Sequence, residues 1–349
     1  MKEKSRFSWL GLLKFLASLM IIWCHTSLLR NGEEYSFKYT YLLVDFFFMI
    51  SGFFVFRHFQ KEEYQKLSIN EAAKESLKYT FKRFLGYLPY VAVSVLTITA
   101  ITIVNAHPVS IGGLVAMMKI TPFELLFLSS QTGLRLSPIW YLSSLFIVMP
   151  FFSLLSQKVP KYLNYLLSLL FVIISYNNFF QNMDKFEGLQ ALLRAITGLS
   201  LGVVIYMAAE YINGCKFKKW QEIIITITEI IILLSAIVLM YPANVEFVQA
   251  KPSESLIILL FSISLILLLS QKSYTSKIRF GLFDFLEKLS LPIYITHWVV
   301  IRFIQYYLLE MSINKRIAIL YIATFIASIS LYSMIELYKT KQYLKRISK

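Results

Sequence analysis

Charged side chains are scarce in this chain. Asp, Glu, Lys and Arg make up 16% of its 349 residues, where a soluble domain carries about a quarter. That shortage excludes an ordinary soluble fold. Glycine and proline are few, at 12 and 9, and the chain shows no internal repeat and no low-complexity segment. Cysteine is nearly absent. Cys24 lies in the first apolar run and Cys215 in a Lys-rich loop. The topology below puts them on opposite halves of a membrane, which argues against a disulfide. Acid is the scarcer charge, 20 residues against 35 Lys and Arg, for a net +15. No compact basic domain gathers that excess, so it does not indicate a nucleic-acid partner. Nothing in the sequence indicates a metal site.

What the chain does have is apolar length. Hydrophobic residues are 57% of it, with 29 Phe and 22 Tyr, and mean hydropathy is +0.61. A membrane span needs about 20 apolar residues. Ten such runs emerge: 7–29, 39–57, 84–106, 138–156, 162–180, 188–210, 220–241, 254–271, 288–309 and 316–337. The first is too long for a signal peptide, and no small-x-small cleavage site follows it. The stretch 108–130 carries Pro108, Gly112, Gly113, Lys119, Pro122 and Glu124 and reads as an interfacial or re-entrant piece. Residues 57–83 read as a cytoplasmic amphipathic helix with the Glu62, Glu63, Lys66, Glu71, Lys74, Lys78 pattern of a solvated face.

Charge sets the orientation. With the N-terminus in the cytoplasm, the inner segments hold 24 Lys and Arg and the outer ones 8; Lys14, Arg194 and Arg302 lie within spans. That ratio follows the positive-inside rule. The expected architecture is an all-α, polytopic membrane helix bundle of about ten transmembrane helices with both termini cytoplasmic. It forms a single membrane domain over residues 1–349, with no appended soluble domain.

Ionisable groups inside spans are costly, about 2.5–3.5 kcal/mol each, and usually mark function. Lys14 and His25 are eleven residues apart in the first run. That is close to three turns, so both leave one face, separated by about 16 Å along the axis. Taking each span as a straight helix, His25 lies about 6 Å and Asp45 about 9 Å from the outer ends of their spans. Arg194 and Arg302 fall at similar depths, and Trp140 opens span four. These form an expected outer cluster. Lys14 and His297 lie about 10 and 14 Å from the inner ends of theirs, with Lys82 and Arg83 at the inner mouth of span three. These form an expected inner cluster. Glu229 is a mid-span carboxylate without an assignment. Cys24 and His25 are neighbours, but adjacent helical side chains point about 100° apart, which disfavours a nucleophile–base pair. His58 and His107 fall in loops and receive no role.

Several segments together resemble acyltransferase family 3, the integral-membrane O-acyltransferases of bacterial surface glycans. Leu13-Lys14-Phe15 through Trp23-Cys24-His25 matches the family's basic residue, ten-residue gap and His. Asp45-Phe46-Phe47 through Ser51-Gly52-Phe53 is close to its Asp-x-Phe-Phe-x-x-Ser-Gly-Phe. Lys82-Arg83-Phe84-Leu85-Gly86-Tyr87-Leu88-Pro89 resembles its Arg-rich run ending in Pro. Trp140-Tyr141-Leu142 resembles its Trp-x-Leu. Ser290 through Tyr294 to His297 resembles its Ser-x-x-x-Tyr-x-x-His. The resemblance runs in order from residue 13 to 297. Three positions depart from it. Lys14 stands for the usual Arg and loses the bidentate fork. Gly86 stands where a second Arg is common, and Leu145 where many members have Glu.

The resemblance implies a membrane enzyme moving an acyl group, usually acetyl, from cytoplasmic acyl-CoA to a sugar hydroxyl outside. Acyl-CoA is then a co-substrate and no cofactor is bound. The other partners are the bilayer and a saccharide or lipid-linked glycan, and the location is the cell membrane. Lys14, Lys82, Arg83 and His297 fall on the donor side; Trp140, Arg194 and Arg302 fall on the acceptor side. His25 is the expected general base. Asp45 is expected to fix its tautomer, and Lys14 or Arg194 to stabilise developing negative charge. An acyl-His25 relay is the alternative chemistry. A transporter or flippase, and a non-catalytic subunit of a glycan-export complex, are the alternative classes. The acceptor sugar and the choice of acetyl or another acyl group are not readable.

Overall fold

A computed structural model describes residues 7–30, 36–105, 111–128, 138–178, 188–241 and 252–347. Its described elements are twelve α-helices joined by short 3-10 turns: α1 Ser8–His25, α2 Leu43–Phe59, α3 Glu62–Gln65, α4 Ile69–Asn105, α5 Ile111–Leu125, α6 Ile139–Lys158, α7 Lys161–Asn178, α8 Gly188–Gly214, α9 Lys219–Leu239, α10 Pro252–Leu269, α11 Gly281–Tyr307 and α12 Ile313–Ile347. Among the described residues no strand occurs. Seven helical segments are long and apolar enough to cross a membrane, and α7 and α10 contribute shorter apolar ones. The long helix α11 stands outside that set because it interleaves Glu287, Ser290, Tyr294, Thr296, His297 and Arg302 with its apolar residues.

The bundle is organised around α2. That helix is apolar on all sides, as expected of a buried one, and Phe48, Met49, Val55, Phe56 and Phe59 are wholly inaccessible. It runs against α8, where small residues permit close approach. A Cβ added at Gly202 would lie 2.4 Å from the Met49 carbonyl oxygen; one at Gly52 would lie 2.3 Å from the Leu199 carbonyl oxygen; one at Gly198 would meet Phe48 Cβ at 2.4 Å. The pairs α1–α11, α11–α12, α9–α10, α7–α8 and α4–α6 complete the packing. The outer helices turn apolar surface away from the protein. Ile224, Ile227, Ile231 and Leu234 of α9 are each half exposed or more, as lipid-facing residues are.

One expectation about the elements needs correction. The residues between spans two and three do not form a separate amphipathic helix. Apart from the single turn α3, they open one continuous helix with span three, from Ile69 to Asn105. At about 55 Å it exceeds a 30 Å hydrocarbon core. Its start is capped reciprocally: the Ser68 hydroxyl and backbone N–H donate to Glu71, whose N–H donates back to Ser68. This cap places the helix start before Ile69, ahead of the apolar run. Pro89, Pro122, Pro150 and Pro292 all sit inside helices, tolerated where neighbouring helices surround the chain. The expected interfacial stretch appears as α5, whose 15 residues are too few for a span; residues 108–110, 129 and 130 lie outside the described residues. Among the described residues Cys24 and Cys215 form no disulfide.

Glu229 is wholly buried in α9 and accepts a 2.6 Å hydrogen bond from Thr275. Thr275 belongs to the turn after α10, so the carboxylate fastens that turn to α9.

Candidate functional site

One face of α1 presents Lys14, Ser18 and His25, spaced by one and then two turns. Gly11 lets α11 approach that face closely: a Cβ there would lie 3.0 Å from Glu287 Cβ. The approach delivers Glu287 to Lys14, whose Nζ donates to it at 2.7 Å. The ammonium also lies 5.7 Å from the Phe54 ring centroid. Ser8 donates to Asp284 one turn earlier on α11, at 2.8 Å. The two helices are therefore pinned near their N-terminal ends by polar contacts.

Along α11, Glu287, Ser290, Tyr294 and His297 follow at steps of three and four, so they share a stripe. His297, the last residue of the stripe, is wholly buried. Its Nε2 lies 3.2 Å from Nδ1 of His25, with ring centroids 5.1 Å apart. Trp298 meets His25 edge-on at 5.3 Å. This corrects the expected split between an outer His25 and an inner His297. The depth estimate counted from residue 288, whereas α11 begins at Gly281; His297 thus lies 16 residues into its helix and His25 17 residues into α1.

A cavity of about 530 Å³ opens beside this stripe. Its lining includes four cations, Lys14, Arg83, Lys288 and Lys339, with the acids Glu287 and Glu336. Deeper walls carry Ser18, Phe47, Ser51, Tyr87, Tyr141 and Tyr294. Ser18 lies two turns before His25 and Tyr294 one turn before His297, so the cavity shares two helices with the imidazole pair, though neither imidazole lines it. Tyr294 is held by a 3.0 Å bond from its hydroxyl to the Pro138 carbonyl. Gly86 also lines the cavity, and a Cβ there would meet nothing within 4 Å. The position where a second Arg is common is thus open space. Lys82, expected with Arg83, is exposed and does not line the cavity; on α4 it points about 100° away from its neighbour. Arg83 lies over the Tyr79 ring at 4.6 Å.

The expected outer cluster divides in two. Asp45 and Arg194 form a buried two-pronged pair: Nε to Oδ1 at 2.9 Å and Nη2 to Oδ2 at 2.6 Å. Arg194 donates as well to the Tyr41 carbonyl at 3.2 Å and lies 5.2 Å from the Trp140 ring centroid. Asp45 was expected to orient His25; both its oxygens instead serve Arg194, because a planar guanidinium matches a carboxylate better than any single donor. Arg302 belongs to the other part. It lies 5.6 Å from the Trp298 ring centroid, beside His25, and donates to Gln305.

Among the described residues no three or more His, Cys, Asp and Glu come close enough to hold a metal. A family model described as an acyltransferase domain matches residues 7–333. The chain belongs to acyltransferase family 3. This acyltransferase has no match among curated proteins or among solved structures. Its long apolar helices and its family make it a membrane acyltransferase. Glu287, Lys288, Lys339, Ser18 and Tyr141 of the cavity were not singled out from sequence. Glu287 had a signal, since it extends the Ser290, Tyr294, His297 stripe by three residues toward the start of α11. Lys339 had none, because it follows the last apolar run among ordinary topology-setting lysines.

Proposed function

We propose that this acyltransferase moves an acyl group, most simply acetyl, from acyl-CoA to a hydroxyl of a cell-surface or lipid-linked saccharide. The observation that carries this reading is the cation-lined cavity whose walls include Ser18 and Tyr294, on the two helices that carry His25 and His297. CoA is polyanionic, and Lys14, Arg83, Lys288 and Lys339 form a rim suited to its phosphates. The aromatic and hydroxyl walls suit the uncharged pantetheine arm. The thioester then lies toward the imidazole pair.

In the reaction, His25 takes the proton of the sugar hydroxyl as its oxygen attacks the thioester carbonyl. The C–S bond breaks, and the thiolate takes that proton back from His25 to leave as free CoA. An ester and a thiol replace an alcohol and a thioester, so no oxidant or reductant is needed. The Lys14 ammonium, tethered by Glu287, supports negative charge on the donor side. Arg194, fixed by Asp45, holds Trp140 on the acceptor side, and Arg302 does the same through Trp298. The reading includes ten spans in the cell membrane with both ends in the cytoplasm, which the 24-to-8 charge ratio supports.

The test compares the surface glycans of cells with and without the gene by NMR. The expected result is loss of an ester acyl signal from defined sugar positions, restored by the wild-type gene. Unchanged acylation overturns the reading in favour of a transport or non-catalytic role.

A further inference from the structure

We propose that His297 is the positioning residue of His25, accepting its Nδ1 proton and leaving Nε2 as the bare nitrogen that acts on substrate. The proposal rests on the reading of His25 as base and deepens it. His297 Nδ1 lies 3.3 Å from the Ile293 carbonyl, one turn back on α11. A carbonyl only accepts, so that nitrogen carries a proton. In singly protonated imidazole the other nitrogen is then a lone-pair acceptor. That nitrogen, Nε2, is the one 3.2 Å from His25 Nδ1. His25 Nδ1 also lies 3.2 Å from the Ile21 carbonyl, one turn back on α1. It therefore faces two acceptors and holds the proton between them. Its proton placed, His25 keeps the Nε2 lone pair free, and no hydrogen bond to that atom occurs among the described residues.

The consequence is a linear order of parts: Ile293 carbonyl, His297, His25, substrate. The two carbonyls come from the i−4 positions of their own helices, so helix geometry alone orients both rings. His297 does what a carboxylate does in a triad, holding the tautomer and accepting from the imidazolium when His25 is protonated. It does so without a second charge in a wholly buried position. Asp45, engaged by Arg194, is not needed for this task.

The test uses the full-length protein in nanodiscs with ¹⁵N-labelled histidine. There are only four histidines, and His25→Ala and His297→Leu identify the two signals. The expected result is protonated Nδ1 and bare Nε2 on both rings. A protonated Nε2 on His25 overturns the proposal. Activity follows in membranes given radiolabelled acetyl-CoA, with label counted in the saccharide fraction. His297→Leu is expected to lower kcat about 100-fold with KM for acetyl-CoA within about twofold. His297→Gln, which places an amide oxygen near the Nε2 position, is expected to regain at least about a tenth of the wild-type rate. Wild-type kcat in His297→Leu, or equal loss in the Leu and Gln variants, overturns the proposal. If the wild-type protein transfers no label, the functional reading fails, while the tautomer signals still decide the arrangement of the two rings.

Discussion

Removing Asp45 is expected to injure the fold rather than the chemistry. The carboxylate receives two bonds from Arg194, at 2.9 and 2.6 Å, and both side chains are 7% exposed. Cutting one partner from such a pair strands a buried charge, at about 3–5 kcal/mol. Asp45→Ala and Arg194→Met should each show a loss of that order in chemical unfolding of the purified protein in micelles. The double variant Asp45→Leu with Arg194→Met removes both charges and fills similar volume, which restores most of the loss. It still lacks the guanidinium stacked on Trp140 and Tyr41, worth about 0.5–2 kcal/mol. The double variant should therefore sit about 1–2 kcal/mol below wild type, well above either single change. Neither side chain contacts His25 in the described hydrogen bonds, so the folded double variant should lose far less acyl transfer than His25→Ala, with the loss appearing in KM for the acceptor that Trp140 faces. Additive losses in the double variant refute the reasoning. So does a well-folded double variant as inactive as His25→Ala.

Gly202→Val drives a side chain into the α2 backbone, where the first added atom is already 2.4 Å from a carbonyl; overpacking costs about 1–3 kcal/mol, read as a lower folded yield by size-exclusion chromatography. Gly86→Arg, at an open position on the cavity wall, should lower KM for acyl-CoA several-fold and leave kcat near wild type, measured in membranes. Lys14→Ala should raise KM for acyl-CoA more than tenfold, while Lys82→Ala changes it less than twofold, because only Lys14 lines the cavity. Thr275→Val removes a donor from the wholly buried Glu229 and should cost about 1–3 kcal/mol of stability, read by the same unfolding assay.

The membrane class was legible from composition, and most helix positions from apolar run length. Lys14, Arg83 and His25 were legible as polar residues within or bordering apolar sequence. Distances between helices were not. Depth counted from the apolar run placed His25 and His297 apart, because that run starts at residue 288 while the helix begins at Gly281, through the polar residues Asp284 and Glu287. Partner choice was also hidden. Asp45 had two cations and one imidazole within reach on paper, and only side-chain geometry shows that Arg194 takes both of its oxygens. The continuity of α4 was missed for a different reason. An apolar-run reading ends where hydropathy falls, while helical hydrogen bonding continues through the charged residues from Glu71 to Arg83.

The central claim is that His25 performs acyl transfer from CoA. The most direct measurement follows label from radiolabelled acetyl-CoA into saccharide, in membranes holding equal amounts of wild-type and His25→Ala protein. The account predicts robust incorporation by the wild type and a loss of at least about 100-fold in the variant, with its folding and its retention of acetyl-CoA unchanged. Equal incorporation by the two proteins would contradict it.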